Sequence, residues 1–391
     1  MYNTNVFADN PKLKNIFLAG FLFTLHVALT AYVNSSFLSR FLEERISGLV
    51  YTLGFAVTIL TLLLIPTLLK RIGSHKFLLY AAGLSAVSLL LLSVLENIWL
   101  IILVFVFYLT LNMVIVFSLD ELLEIFSKNS GIGKVRGLYI AILSGAWVLA
   151  QSISGTILDD FSFSALYFAS SLLMILFFLV VFFFLRNLPD PDYDKETILA
   201  SLKIFFRNKN LARAYKINFL LQFFFAFMVI YTPIYLHAHL GFSFGEIGII
   251  FTIMLTPFVF LPFQLGKYSD KIGERDMLLA GFLIMSVFTL VIPFMAASSI
   301  FFWALILFST RLGAATVEIM SDSYFFKHIT PENDEFIGVY RNAQPAAYIL
   351  APIVAYFIFT FTPSFNFIYF ALGACMLYGI YLASTIEKTD I

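Results

Sequence analysis

Three charged residues interrupt an apolar stretch in the second half of the chain: Arg311, Glu318 and Asp322. Their spacing places all three on one face of a helix. An ionisable side chain at the centre of a bilayer costs roughly 2.5–3.5 kcal/mol, so such residues usually face a bundle interior or water. Arg311 could pair with an anionic or polar solute group, and Glu318 could exchange a proton as its access to water changes. The alternative is an intramolecular salt bridge that only fixes helix packing, and for Asp322, close to the membrane surface, a structural role is favoured.

A histidine in the first half forms a second candidate site. His26 shares a helical face with Thr30 and Asn34, at positions i, i+4 and i+8. A neutral histidine can bind a solute group or relay a proton. It can equally donate a hydrogen bond to a neighbouring helix, and both alternatives stay open.

Uncharged polar and aromatic residues complete the candidate solute site. Trp147 and Gln151 lie on one stripe with Ser144, and aromatic side chains that line a cavity can stack on flat or cationic solutes. The remaining candidates for this site are Gln222 and Tyr348.

The composition requires a membrane to position these residues. Apolar residues make up 61% of the 391 residues and charged residues 12%, with a mean hydropathy of +0.93. A soluble domain is about half apolar and roughly a quarter charged, so the bilayer must be the solvent. The net charge of zero gives no indication of a nucleic-acid partner, and the single Cys375 excludes an intrachain disulfide or a cysteine-based zinc site. The first apolar run lacks a signal-peptide cleavage site and is expected to be retained.

Twelve apolar runs are long enough to cross a bilayer as helices, which need about 20 residues each. They lie near 15–34, 46–69, 76–95, 98–119, 137–158, 164–185, 216–236, 244–265, 277–297, 299–324, 336–359 and 364–384. With the N-terminus inside, 21 of the 24 Lys and Arg residues fall on the cytoplasmic side, Arg40 and Arg45 fall outside, and Arg311 lies within a span. This bias predicts an all-α polytopic membrane protein with both termini cytoplasmic.

The chain divides into two related halves. Between the sixth and seventh runs, apolar residues from Ile198 to Phe206 recur at helical spacing among basic ones, as in an amphipathic helix on the inner leaflet. Residues 137–151 align with 338–352 at an offset of 201, and Asp120 aligns with Asp322 one residue further along. These features predict a six-helix bundle at 1–186, a cytoplasmic linker at 187–213 and a second six-helix bundle at 214–391.

This organisation resembles the major facilitator superfamily. The sharpest local match is GKYSDKIGER (266–275), which is similar to the loop pattern G-x-x-x-D-[RK]-x-G of that family. The first-half copy, PTLLKRIGSHK (66–76), departs from the pattern because Pro66 replaces the leading Gly and Lys70 replaces the Asp. No subfamily is identified.

The resemblance implies alternating access, in which two bundles rock about a central site near the midplane. Spans 1, 4, 7 and 10 would line the cavity, and Asp270 would approach the start of span 5 near Arg136, where a helix N-terminus attracts a carboxylate. The candidate gating residues are Asp270, Lys271, Gly273, Arg275, Arg136, Asp120, Asp322 and Arg341.

We therefore expect a secondary active transporter of a small organic solute in the plasma (cell inner) membrane, with a proton as the candidate coupling ion. The segment SGAWVLAQSISG (144–155) keeps two glycines of the antiporter pattern but lacks its Gly-Pro pair, and so favours export only weakly. The alternatives are an ion-independent facilitator, or a non-transporting sensor, assembly partner or lipid scramblase. No phosphate-binding loop or catalytic cluster occurs, so no enzyme activity, cofactor or metal is predicted, and the chain is expected to be a monomer whose partners are the solute and the bilayer.

Overall fold

A computed structural model shows the described part of the chain as a series of helices. It describes residues 11–127, 132–186, 198–261, 265, 273–295, 299–329 and 335–386. Within this part of the chain, twelve helices are long and apolar enough to cross a bilayer. They coincide with the twelve predicted runs to within a few residues for most ends, because each run ends where charged residues, Pro or Gly cluster. The predicted fold class, an all-α protein with twelve membrane spans, is therefore confirmed.

The contacts group the chain into two units. Unit 1 comprises residues 1–37 and 53–193, and unit 2 comprises residues 38–52 and 194–391. The sequence-based division at 186 and 214 stays a prediction, and it did not anticipate that residues 38–52 would join the second unit. This segment spans the end of a short helix and the first part of span 2.

Unit 1 contains spans 1 to 6, with the first turns of span 2 assigned to the other unit. The long helices carry these spans, and a short helix at Asn34–Leu38 follows span 1. In chain order they are Pro11–Ala31, Glu44–Ile72, Ser74–Val94, Ile98–Ser127, Ile132–Asp160 and Phe163–Phe184.

Unit 2 contains a surface helix and spans 7 to 12. The surface helix covers Ile198–Arg207 and is followed at once by span 7, because the Asn208 side chain caps the new helix by accepting bonds from the backbone of Asn210 and Leu211. The remaining helices are Lys209–Ile234 with a π-helical extension at Tyr235–His239, Phe244–Leu255, Glu274–Val291 with a 3₁₀ turn at Ile292–Phe294, Ile300–Phe326, Glu335–Arg341, Ala343–Phe361 and Phe367–Ser384.

Proline marks the irregular points of unit 2. Proline removes a backbone hydrogen bond and displaces the preceding turn. Span 8 is interrupted at Thr256, directly before Pro257, and span 11 is interrupted at Asn342, three residues before Pro345. Span 7 passes through Pro233 and then widens into its π-helical turn. Pro262 lies outside the described residues.

Glycines allow spans 9 and 10 of unit 2 to approach each other closely. A Cβ atom on Gly313 of span 10 would lie 2.6 Å from the Gly281 carbonyl oxygen and 2.9 Å from the Met285 backbone nitrogen, both on span 9. Backbone atoms cannot retreat as a flexible side chain can, so this crossing requires glycine. Span 10, which carries the charged stripe, is thus held firmly against span 9.

The first turns of span 2 pack on spans 7 and 11 of unit 2. The Thr52 hydroxyl donates to the Ile349 carbonyl oxygen at 3.0 Å. Gly48 leaves room for the Tyr231 hydroxyl, and a Cβ at this position would also lie 3.2 Å from Cβ of Pro352. Glu44 pairs with His239, with 2.9 Å between Oε1 and Nε2. These contacts explain why residues 38–52 group with unit 2.

Candidate functional site

Arg311 lies in the interior of unit 2. Its side chain is only 2% exposed, although it sits in the middle of span 10. The guanidinium carbon lies 5.0 Å from the ring centre of Phe225 and 5.7 Å from that of Phe224, both on span 7. Cation–π attraction offsets part of the cost of burying the charge, and span 7 therefore supplies an aromatic wall for this cation.

Glu318 lies two turns along the same helix among charges of both signs. Its charged neighbours are Asp322 and Arg311 on span 10 and Arg341 on span 11. The side chain is half-buried, and Arg341 is exposed. The predicted stripe is therefore present as a set of interacting charges. A carboxylate between two cations and a second carboxylate can hold or release a proton as its surroundings change.

A network of uncharged polar groups surrounds the end of the stripe. The Tyr340 hydroxyl donates to Oδ1 of Asp322 at 2.9 Å and lies 2.8 Å from the Ser321 hydroxyl. On span 7, Asn218 donates to the Tyr340 carbonyl oxygen at 3.2 Å, and Gln222 donates to Asn218 at 3.4 Å. Unit 2 thus brings together Gln222, Asp322 and the start of span 11.

His26 is completely buried in unit 1. Its ring meets Phe23 edge-on at 4.9 Å and Tyr108 at 6.2 Å, and Asn112 on span 4 is its polar neighbour. Thr30, one turn along span 1, lies 3.1 Å from the Tyr108 hydroxyl. The His26 ring therefore packs between spans 1 and 4, and neither of its buried ring nitrogens has a hydrogen-bond partner among the described residues. Both alternatives for His26 stay open, and its role in solute or proton binding remains a prediction.

The other unit 1 candidates also contact span 1. Gln151 is 2% exposed and donates to the carbonyl oxygens of Ala28 at 3.1 Å and Trp147 at 3.3 Å. Trp147 is half-buried and meets Tyr32 edge-on at 6.1 Å. The Gln151 side-chain amide therefore donates its hydrogen bonds to backbone carbonyl oxygens. Tyr348, predicted to be the counterpart of Trp147, is buried in unit 2.

The gating candidates are only partly covered by the described residues. Gly273 precedes span 9 with a φ of 85°, a left-handed conformation that suits glycine, and the half-buried Arg275 lies in the first turn. In unit 1, Arg136 is half-buried. Asp120 lies near enough to the buried Tyr139 to interact with its side chain electrostatically. Asp270 and Lys271 lie outside the described residues, so the gating role of this loop remains a prediction.

Sequence reasoning missed four residues of the unit 2 site. Tyr340 and Asn218 organise the network around Asp322, and Phe224 and Phe225 face Arg311. Asn218 could have been found, because it precedes Gln222 by one helical turn on span 7. The two phenylalanines carry no comparable signal in a chain with 48 of them.

The described residues contain no group of three or more His, Cys, Asp or Glu side chains placed to hold a metal ion.

Comparison with known proteins identifies the family. A profile of the Major Facilitator Superfamily matches residues 16–245 and 217–389, and the chain belongs to this family. One similar solved structure is that of the nucleoside transporter NupG, at 11% identity and a TM-score of 0.77, which covers 97% of this chain and 100% of that chain. The structure of a point mutant of NupG is similar at 13% identity and a TM-score of 0.78, and covers 96% of this chain and 100% of that chain. The human organic anion transporter MFSD10 (TETRAN) is similar at 15% identity and a TM-score of 0.68, over 96% and 99%.

A search of curated protein sequences found no match. At these identities the solved structures show a shared fold. Together with the family profile, they identify the chain as a multi-pass membrane transporter of a small solute, and the predicted family is confirmed.

Proposed function

We propose that the chain is a secondary active transporter that binds its solute at the charged stripe of unit 2 and couples transport to a proton at Glu318. The observation that carries the proposal is the burial of Arg311 against the rings of Phe224 and Phe225. Ionisable residues inside membrane spans are costly and usually mark a functional site. We therefore attribute the buried Arg311 beside two aromatic rings to solute recognition.

The chemistry of the stripe suggests a planar polar or anionic solute. Arg311 supplies a cation that can donate two parallel hydrogen bonds, and the phenyl rings beside it supply apolar faces. Asn218 and Gln222 add amide groups on the neighbouring helix. The similarity in fold to a nucleoside transporter and to an organic anion transporter supports nucleosides and organic anions as the first solutes to test.

Glu318 is the group proposed to exchange the proton. Two cations and a carboxylate act on it, so solute binding at Arg311 would change the balance of charge around its side chain. Export is the first direction to test, because span 5 keeps Gly145 and Gly155 of the antiporter pattern. A facilitator without ion coupling is the competing function.

The experiment begins with a thermal-shift screen of the purified protein against nucleosides and organic anions at pH 5.5 and 7.5, since a bound ligand raises apparent stability. The hit is then followed in proteoliposomes, by counterflow and by accumulation under a pH gradient. Glu318→Gln should keep counterflow and lose gradient-driven accumulation. Glu96→Gln, an exposed charge between spans 3 and 4, is the matched control and should behave as wild type.

Equal gradient-driven accumulation in Glu318→Gln and wild type would remove Glu318 from the coupling step. Counterflow without accumulation in the wild type would identify a facilitator. Lipid movement without saturable solute uptake would identify a scramblase instead.

A further inference from the structure

The surface helix Ile198–Arg207 is anchored on the ends of three spans of unit 2. Phe205 is fully buried, and its ring meets those of Phe336 at 5.5 Å, Tyr215 at 6.3 Å and Phe325 at 6.3 Å. These partners belong to the starts of spans 11 and 7 and to the end of span 10. The buried Phe205 therefore anchors the surface helix on the ends of these spans.

Large apolar side chains remain exposed on the rest of this helix. Ile204 is 56% exposed and Phe206 is 44% exposed. The Phe206 ring meets that of Tyr215 at 5.0 Å, and Tyr215 in turn stacks near Phe219, one turn further along span 7. Aromatic side chains are enriched at the headgroup level of a bilayer, where an apolar body and a polar tip are both accommodated. The rings of Phe206, Tyr215 and Phe219 thus form a row that leads from the surface helix into span 7.

Four exposed cations lie beside these apolar groups, and we call them the basic collar: Lys203, Arg207, Lys209 and Lys216. Lys203 and Arg207 are four residues apart on one face of the surface helix. Lys209 and Lys216 are seven apart on one face of span 7.

Two nearby cations differ from the basic collar because they bond to other side chains of the protein. Arg213 donates to the Thr385 hydroxyl at 2.9 Å, to Asn210 at 3.0 Å and to the Tyr324 hydroxyl at 3.1 Å. Lys327 pairs with Glu274. The basic collar instead presents its charge outward, next to exposed Ile204 and Phe206.

We propose that the basic collar, together with Ile204 and Phe206, binds the headgroups of anionic phospholipids in the leaflet at which the surface helix lies. Juxtamembrane cations attract anionic lipids additively, and their long aliphatic stems can lie along apolar surface while the charge reaches a phosphate. A soluble phosphate compound would need only the cations. Exposed Ile204 and Phe206 beside them select a partner whose acyl chains begin at the same depth, which is a lipid.

The test uses the full-length chain in nanodiscs and needs no transported solute. Thermal unfolding is measured in phosphatidylcholine and in a two-to-one mixture of phosphatidylcholine and phosphatidylglycerol. The wild type should unfold at a higher temperature in the mixture, by roughly 3–6 °C, and high salt should reduce the difference. The collar variant is Lys203→Gln/Arg207→Gln/Lys209→Gln, and its matched control in unit 1 is Lys14→Gln/Arg71→Gln/Lys76→Gln, with all six side chains exposed.

The collar variant should lose most of the phosphatidylglycerol-dependent shift, and the control should keep it. An equal loss in both variants would overturn the proposal, because it would show a general response to surface charge. A wild type that does not respond to phosphatidylglycerol would overturn it as well.

A second measurement tests the apolar part of the site without removing charge. The chain has one cysteine, so Ile204→Cys in a Cys375→Ser background can carry a single polarity-sensitive dye. Dye emission should shift to the blue and be quenched by lipids brominated near the headgroup. Emission typical of water, with no quenching, would contradict contact between the surface helix and lipid even if the variants above failed to fold.

Discussion

The two units use polar residues inside the membrane in different ways. In unit 1, uncharged groups join span 1 and the short helix after it to other spans: Thr30 to Tyr108, Gln151 to the Ala28 carbonyl oxygen, and Asn34 to Tyr167. In unit 2, span 10 carries the ionisable residues Arg311, Glu318 and Asp322. Neutral hydrogen bonds add stability at little desolvation cost, whereas buried charges are costly and are usually functional. This contrast is the reason for proposing that the solute and the proton bind in unit 2.

Span 4 shows how the two halves diverged. At the offset that aligns Asp120 with Asp322, Leu109 and Val116 stand where span 10 has Arg311 and Glu318. Leu109 packs closely on Gly54, and Val116 is 39% exposed. The acidic residue at the span end was kept in both halves, and the two charges within the membrane occur in the second half alone.

The largest effect is expected when the charge of Arg311 is removed and the volume of its side chain is kept, because this tests whether the charged stripe of unit 2 binds the solute. Arg311→Met should weaken solute binding roughly 10- to 100-fold, because hydrogen bonds to a charged group are lost. Stability should also fall, by up to about 3–5 kcal/mol, because Glu318 loses a neighbouring cation. Ligand titration and thermal unfolding give the two readouts, and Arg40→Met at an exposed position is the control. Lower stability with unchanged binding would make the stripe structural and remove the contrast between the units.

A second change asks whether unit 1 is only a scaffold. His26→Ala should destabilise the protein by roughly 2–4 kcal/mol, because it leaves a cavity between Phe23 and Tyr108. The solute KM of the folded fraction should stay the same. His75→Ala, at a half-buried position in the same unit, should cost less. If uptake by the His26 variant changed its pH dependence while stability stayed normal, unit 1 would contribute to proton transfer.

The smallest expected effect comes from a matched pair of tyrosines. Tyr340→Phe removes the hydrogen bond to Asp322 in unit 2, and Tyr167→Phe removes the 2.8 Å bond to Asn34 in unit 1. Each change should cost about 1 kcal/mol of stability. Tyr340→Phe should in addition alter solute affinity a few-fold, because Asp322 neighbours Glu318. Equal affinities in the two variants would show that the network around Asp322 is as structural as that of unit 1.

The sequence alone was sufficient for the class of the protein and for most helix positions. Runs of about 20 apolar residues have few alternatives in a bilayer, because every backbone group must be satisfied within the helix. The charged stripe was also readable, because Arg311 and Glu318 are rare residue types for such a run. The surface helix was predicted from the spacing of Ile198, Leu202 and Phe205, and the structure places it at Ile198–Arg207.

Tertiary structure decided which polar residues meet. Phe224 and Phe225 resemble many other phenylalanines in the chain until the fold places them at Arg311. Gln151 has a side-chain amide that could bind a solute, yet in the folded chain this amide donates to the Ala28 carbonyl oxygen. Residues 38–52 follow the first span in sequence and pack with unit 2, because Gly48 fits against Tyr231. Periodicity specifies the face of a helix on which a side chain lies, whereas its partner depends on distant segments that only the folded chain brings into contact.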